Sequence, residues 1–204
     1  MDKILCFGDS NTYGYDPRGY LGGRYPADIR WTGRLAEAGF SVKNCGQNGL
    51  TIPAPGEAAC LTDRLGAPEQ WHTVTVMLGT NDLLQSPSLS AEDVAARMER
   101  FLAAVTQALP PDRLLLIAPV PMVRGEWVTD ACTMRESARL GSCFAAVADR
   151  LGARFADAAQ WGVSLCFDGV HFTAEGHAAF AAGLLGAIKA GKEGLFNSGD
   201  PVYN

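Results

Sequence analysis

Three short runs, Ile4 to Phe7, Val74 to Leu78 and Leu114 to Ala118, are apolar without a regular polar alternation, and each ends in a loop containing Gly or Pro. A strand with one wet face alternates with period two. A strand without that alternation is covered on both faces, which is the condition of a parallel sheet lying between helices. Ser41 to Asn44 and Ala153 to Ala156 read as two weaker strands. This pattern constrains the chain more than any other, because parallel neighbours need a long crossover between them.

Amphipathic segments fill those crossovers. Ser90 and Asp93 form a helix-start pair. Val94, Met98, Phe101, Leu102, Val105 and Leu109 then fall on one stripe until Pro110. Further helices are expected from about Arg30 to Ala38, Asp130 to Leu151 and Ala174 to Ile188, with a weaker one inside Ala58 to Leu65. Five alternations of strand and helix with right-handed crossovers predict an α/β fold, a three-layer α/β/α sandwich around a five-stranded parallel sheet. Such sheets bind ligands at the carboxyl ends of their strands. The expected organisation is a single domain over 1–188 and a C-terminal tail over 189–204, used in a subunit contact of a homo-oligomer or frayed.

The bulk properties narrow the partners. The 204-residue chain is 48% hydrophobic and 19% charged with a net charge of −5, so it offers no basic surface for nucleic acid. No stretch approaches the ~20 apolar residues that would span a bilayer, so no membrane insertion is expected. The apolar part of the N-terminus is too short for a signal peptide, which makes the cytoplasm the expected location. Cys6, Cys45, Cys60, Cys132, Cys143 and Cys166 stand singly, without a Cys-x-x-Cys pair. They read as reduced thiols and not as disulfides or a zinc site.

Four loop segments carry the candidate chemistry. Ser10 follows Gly8 and Asp9 at the carboxyl end of the first strand, where a hydroxyl projects into the ligand crevice. Asn81, in Gly79-Thr80-Asn81-Asp82, ends the third strand in the same way and can donate its amide to a developing oxyanion. In Asp168-Gly169-Val170-His171 the spacing lets the carboxylate accept from one imidazole nitrogen while the other faces a hydroxyl. Gly46 and Gly49, after the second strand, allow close backbone approach to a substrate. Each segment alone also fits a bland reading: a turn serine, an Asx-turn, a histidine capping a helix, an ordinary loop. His177 reads as structural and His72 as the start of a strand. Together the four supply a nucleophile, an oriented base and oxyanion donors on one edge of one sheet, the constellation expected of an active site.

These segments resemble the blocks of the SGNH hydrolases, a branch of the GDSL esterases and lipases. Phe7-Gly8-Asp9-Ser10 resembles the first block, Gly46 to Gly49 the second, Gly79 to Asp82 the third and Asp168 to His171 the fifth, over nearly the whole chain. Arg30-Trp31-Thr32-Gly33 is similar to the arylesterase and acyltransferase branch. The resemblance implies a flavodoxin-like order of strands, Ser10 as nucleophile, His171 as general base and acid oriented by Asp168, and an oxyanion hole from the Ser10 and Gly49 N–H groups with the Asn81 side chain. Gly49 is preferred to Gly46 on the pattern Asn-x-Gly-x-x-Gly. Asn11 stands where the family often has Leu. The implied reaction is hydrolysis of a small acyl ester through an acyl-enzyme, with no cofactor and no metal. Acyl transfer to an alcohol or peroxide, carbohydrate O-deacetylation, and a noncatalytic module holding phosphate or flavin are the alternatives. Tyr13, Tyr15, Tyr20, Tyr25, Trp31 and Trp127 are candidates for a pocket wall.

Overall fold

The computed structural model describes residues 1–19 and 23–196. In chain order the elements are β1 (Lys3–Gly8), α1 (Ser10–Tyr13), β2 (Tyr15–Asp16), β3 (Gly23–Arg24), α2 (Trp31–Glu37), β4 (Ser41–Gly46), α3 (Ala59–Leu65), β5 (Thr73–Met77), α4 (Thr80–Gln85), α5 (Ala91–Val105), β6 (Leu114–Ala118), α6 (Ala131–Leu151), β7 (Arg154–Asp157) and α7 (Ala174–Phe196). Five parallel strands form one sheet in the order β4-β1-β5-β6-β7, while β2 and β3 pair as a small antiparallel hairpin.

The apolar runs are buried on both faces, as their composition requires. Ile4 and Cys6 of β1 pack with Trp31, Leu35, Phe180, Leu184 and Ile188 from α2 and α7. Leu5 and Phe7 turn the other way, into a core with Leu61, Leu65, Met98, Phe101, Leu140 and Phe144 from α3, α5 and α6. Alternate residues of one strand thus serve two helical layers. The cap expected at the start of α5 is formed: the Asp93 N–H donates to Ser90 Oγ, and the Ser90 N–H donates to the Asp93 carboxylate.

The sheet order places the chemistry. The first crossover leaves β1 toward β4 and the next returns past β1 to β5, so the strand order reverses between β1 and β5, where a crevice opens at the carboxyl ends. Gly8 of β1 sits in register with Gly46 of β4 on one side and Met77 of β5 on the other. The loops carrying Ser10, Gly49 and Asn81 therefore leave the sheet side by side.

Three boundaries differ from expectation by more than one residue. α5 ends at Val105, four residues short of the Leu109 that closes its expected stripe. β4 extends two residues past Asn44 to Gly46. The helix expected to end at Ile188 continues to Phe196, because 189–196 holds Lys, Ala, Glu and Leu, good helix formers that outweigh two glycines. Residues 197–204, and with them any subunit contact through the tail, lie outside the described residues, as does Tyr20. Among the described residues no helix is long and apolar enough to cross a membrane.

Candidate active site

Local sequence explains each position. Gly8 ends β1, and the Asp9 carboxylate caps the next turn by accepting from the Asn11 N–H at 3.0 Å. Ser10 is thereby the first residue of α1 and is buried beneath the cleft. On the last loop, Asp168 Oδ1 accepts from the N–H groups of Val170 (2.9 Å) and His171 (3.0 Å), while Oδ2 lies 2.6 Å from His171 Nδ1. Nδ1–H donates to the carboxylate, and this tautomer leaves Nε2 as an acceptor. Ser10 Oγ lies 2.9 Å from it. Burial alone would raise the Asp168 carboxyl pKa, but the hydrogen bonds from the His171 side chain and the two backbone N–H groups outweigh it and hold the group below the ordinary carboxylate range.

Ser10 and His171 are 161 residues apart, and Asn11 ties their loops together. Its Nδ2 donates to the Val170 carbonyl at 3.1 Å and its Oδ1 accepts from the Phe172 N–H at 3.0 Å. One buried carboxamide thus grips the peptides on both sides of His171. A second brace comes from the segment after β6. Val123, Glu126 and Trp127 donate N–H groups to the carbonyls of Gly169, Phe167 and Asp168, each at 3.1 Å. Gly125 makes this approach possible, since a Cβ there would lie 2.3 Å from the Asp168 carbonyl carbon.

The second and third loops are pinned to each other. Asn81 Nδ2 donates to the Leu50 carbonyl (3.1 Å), Gln85 to the Gly49 carbonyl (3.1 Å), and the Asp82 carboxylate accepts from the Ile52 N–H (3.0 Å) and from Arg97 (3.2 Å). Gly46 is committed elsewhere: its N–H donates to Asn44 Oδ1, and α1 packs so closely that a Cβ would meet the Tyr13 N at 2.1 Å. Gly49, at φ +73°, lines the cleft.

That cleft, of about 320 Å³, brings together Ser10, Gly49, Asn81 and His171 with Tyr15, Asn48, Leu84, Trp127 and Val170. Asp168 lies behind His171, fully buried. A somewhat larger hollow of about 370 Å³ sits at the opposite ends of the strands, around Lys3, His72 and Arg154, and none of the candidate residues reaches it. Of the aromatic candidates, Tyr15 and Trp127 flank the His171 ring at 4.6 and 5.0 Å between centroids. The other described candidates pack against the fold instead: Trp31 is buried with its indole N–H on the Asn11 carbonyl, Tyr25 is buried against His177, and Tyr13 lies under the Arg24 guanidinium.

Two buried groups near the site titrate in opposite senses. Burial raises the Asp9 carboxyl pKa from 3.8 to about 6, against the lowering effects of the Asn11 N–H and His171. Burial lowers that of His177 from 6.5 to about 4, with help from Arg34 and Arg30; its Nε2 has no hydrogen-bond partner among the described residues. Asp9 binds its proton more tightly folded than unfolded, so its contribution to stability is lost as pH rises through 6. The His177 contribution is full above 6.5 and is lost as pH falls through 4. At about 1.4 kcal/mol per pH unit each is worth roughly 3 kcal/mol, and in the native protein they offset one another. Asp9→Asn is expected to expose the histidine alone. Its unfolding free energy in urea should rise more steeply from pH 4 to 6.5 than that of the wild type, by roughly 2–3 kcal/mol. Parallel profiles would contradict the assignment.

Comparison with known proteins identifies the fold and the family. No curated protein sequence matches the chain. A native aryl esterase of M. smegmatis superposes with a TM-score of 0.82 at 26% identity, over 93% of this chain and 99% of that one. A putative arylesterase from Agrobacterium tumefaciens str. C58 gives 0.78 at 30% identity over the same shares. A carbohydrate acetylesterase family member from Sinorhizobium meliloti gives 0.79 at 26% identity, over 94% and 99%. Residues 6–179 match the model of the GDSL-like lipase/acylhydrolase family. With the loops of that match meeting in one cleft, the chain belongs to this family and is an ester-hydrolysing enzyme of the SGNH type.

Proposed function

We propose that the protein is a serine esterase that hydrolyses small acyl esters through an acyl-enzyme on Ser10. The observation that carries this reading is the unbroken hydrogen-bonded line from Ser10 Oγ through the His171 ring to Asp168, at 2.9 and 2.6 Å. His171 removes the Ser10 proton as Oγ attacks the ester carbonyl, the imidazolium is stabilised by Asp168, and the proton then passes to the departing alcohol. Water repeats the sequence on the acyl-enzyme. The oxyanion is received by the N–H groups of Ser10 and Gly49 and by Asn81, whose amide is fixed by its bond to the Leu50 carbonyl and keeps a second N–H for the substrate.

A cleft of about 320 Å³ stands at the low end of small-molecule sites and is shared by the acyl and alcohol halves, which favours a short acyl chain. The expected setting is the cytoplasm, consistent with six unpaired thiols, and the expected partner is a small ester and not nucleic acid. The test is a series of 4-nitrophenyl esters from acetate to octanoate. Turnover highest at acetate or propionate is expected, and a maximum at octanoate would overturn the acyl assignment. Asn81→Ala is expected to fold normally and to lose on the order of 10²- to 10³-fold in kcat, since one oxyanion donor is worth about 3 to 4 kcal/mol. Unchanged turnover would remove Asn81 from the site.

A further inference from the structure

Apart from Met1, the exposed large apolar side chains among the described residues are Val123, Trp127 and Phe167. They are not scattered. Val123 and Trp127 lie on the segment after β6, Phe167 lies beside Asp168, and the two segments are hydrogen-bonded to each other at Glu126 with Phe167, Trp127 with Asp168 and Val123 with Gly169. Trp127 also lines the cleft and stands edge-on to His171. A rim of large side chains about half exposed next to a catalytic cleft marks a binding surface, because single scattered apolar residues need no such clustering.

We infer that this rim, with Tyr15, is the leaving-group site, and that it takes an uncharged alcohol bearing an apolar ring. The assignment rests on the esterase reading above. In that chemistry the departing oxygen must receive its proton from His171 Nε2, so the alcohol half of the ester lies on the His171 side of Ser10. The residues on that side are Tyr15 and Trp127, each against the imidazole. None of the described residues lining the cleft is Asp, Glu, Lys or Arg, so a charged alcohol would lose hydration without gaining a partner. Like Val123 and Phe167, Arg124 and Glu126 are exposed beside the cleft and do not line it, so direct contact with the ring falls to Trp127 and Tyr15. The acyl half falls to the opposite side, where Asn48, Gly49, Asn81 and Leu84 lie.

The test compares acetates of alcohols with similar leaving ability, so that intrinsic reactivity does not imitate binding: ethyl acetate, 2-phenylethyl acetate and a methyl glucoside monoacetate. Wild-type kcat/KM for 2-phenylethyl acetate is expected to exceed that for each of the other two by on the order of tenfold or more, the value of burying much of one ring. In Trp127→Ala, and less strongly in Phe167→Ser, that ratio is expected to fall to within about threefold of unity, with melting temperature and fluorophosphonate-titrated active sites retained. Equal kcat/KM values in an active wild type, or preference for the sugar acetate, would overturn the leaving-group assignment and leave the esterase reading standing. A preserved ratio in both variants would do the same, including the case where they change the mass of the protein in solution and so mark the rim as a contact between copies. If no ester turns over and Ser10 does not react with fluorophosphonate, both readings fall.

Discussion

Ser10→Ala is expected to lower kcat for 4-nitrophenyl acetate by about 10⁴- to 10⁶-fold while KM changes little. The magnitude follows from what the hydroxyl does. Its Oγ is the atom held 2.9 Å from His171 Nε2, and without it the imidazole has no nucleophile to activate. The residual rate would come from the Asn81 amide and the Gly49 N–H, which still polarise the carbonyl toward attack by water. Folding should be unaffected, because alanine is the better helix former at the start of α1 and the backbone bond from the Gly14 N–H to the Ser10 carbonyl remains. Steady-state kinetics beside a circular-dichroism melt checks both halves. A folded variant keeping more than about 1% of wild-type kcat would contradict the assignment.

Asp168→Asn should cost about 10⁴-fold in kcat, nearly as much, although its side chain never meets the substrate. The asparagine carbonyl can still accept from the Val170 and His171 N–H groups, so the turn survives. Its NH₂ then faces His171 Nδ1, which must become an acceptor, and the proton moves to Nε2, where it blocks the nitrogen that should take the Ser10 proton. The loss is one of tautomer and of imidazolium stabilisation, not of position. KM for the ester should therefore remain within a few-fold of wild type. A fall in kcat of less than tenfold in a folded protein would show that Asp168 does not orient His171.

Much of this was legible in the residues. Runs such as Leu114 to Ala118 fix a sheet buried on both sides, and the carboxyl ends of β1, β4 and β5 carry the Ser10, Gly49 and Asn81 loops as expected. What was not legible depends on distance in the chain. Nothing near Asn11 announces partners at Val170 and Phe172, although a carboxamide about to be buried needs them. The brace of Gly125 against Asp168 likewise appears only once two loops meet. The aromatic residues after Ser10 look equivalent in sequence. In the fold Tyr15, on the hairpin β2–β3, faces His171, while Tyr25, just after the hairpin, and Trp31, at the start of α2, turn into the core. The two glycines of 189–196 suggest a tail, whereas the summed helix propensity of the segment favours continuing α7, and the helix does run on to Phe196.

The decisive measurement is intact-protein mass spectrometry after a fluorophosphonate, followed by peptide mapping. One adduct per chain is expected, on the peptide containing Ser10, forming rapidly in the wild type, far more slowly in His171→Ala, and not at all in Ser10→Ala. An adduct on another residue, or ester turnover by a protein whose Ser10 stays unmodified, would contradict the assignment of the nucleophile and with it the mechanism.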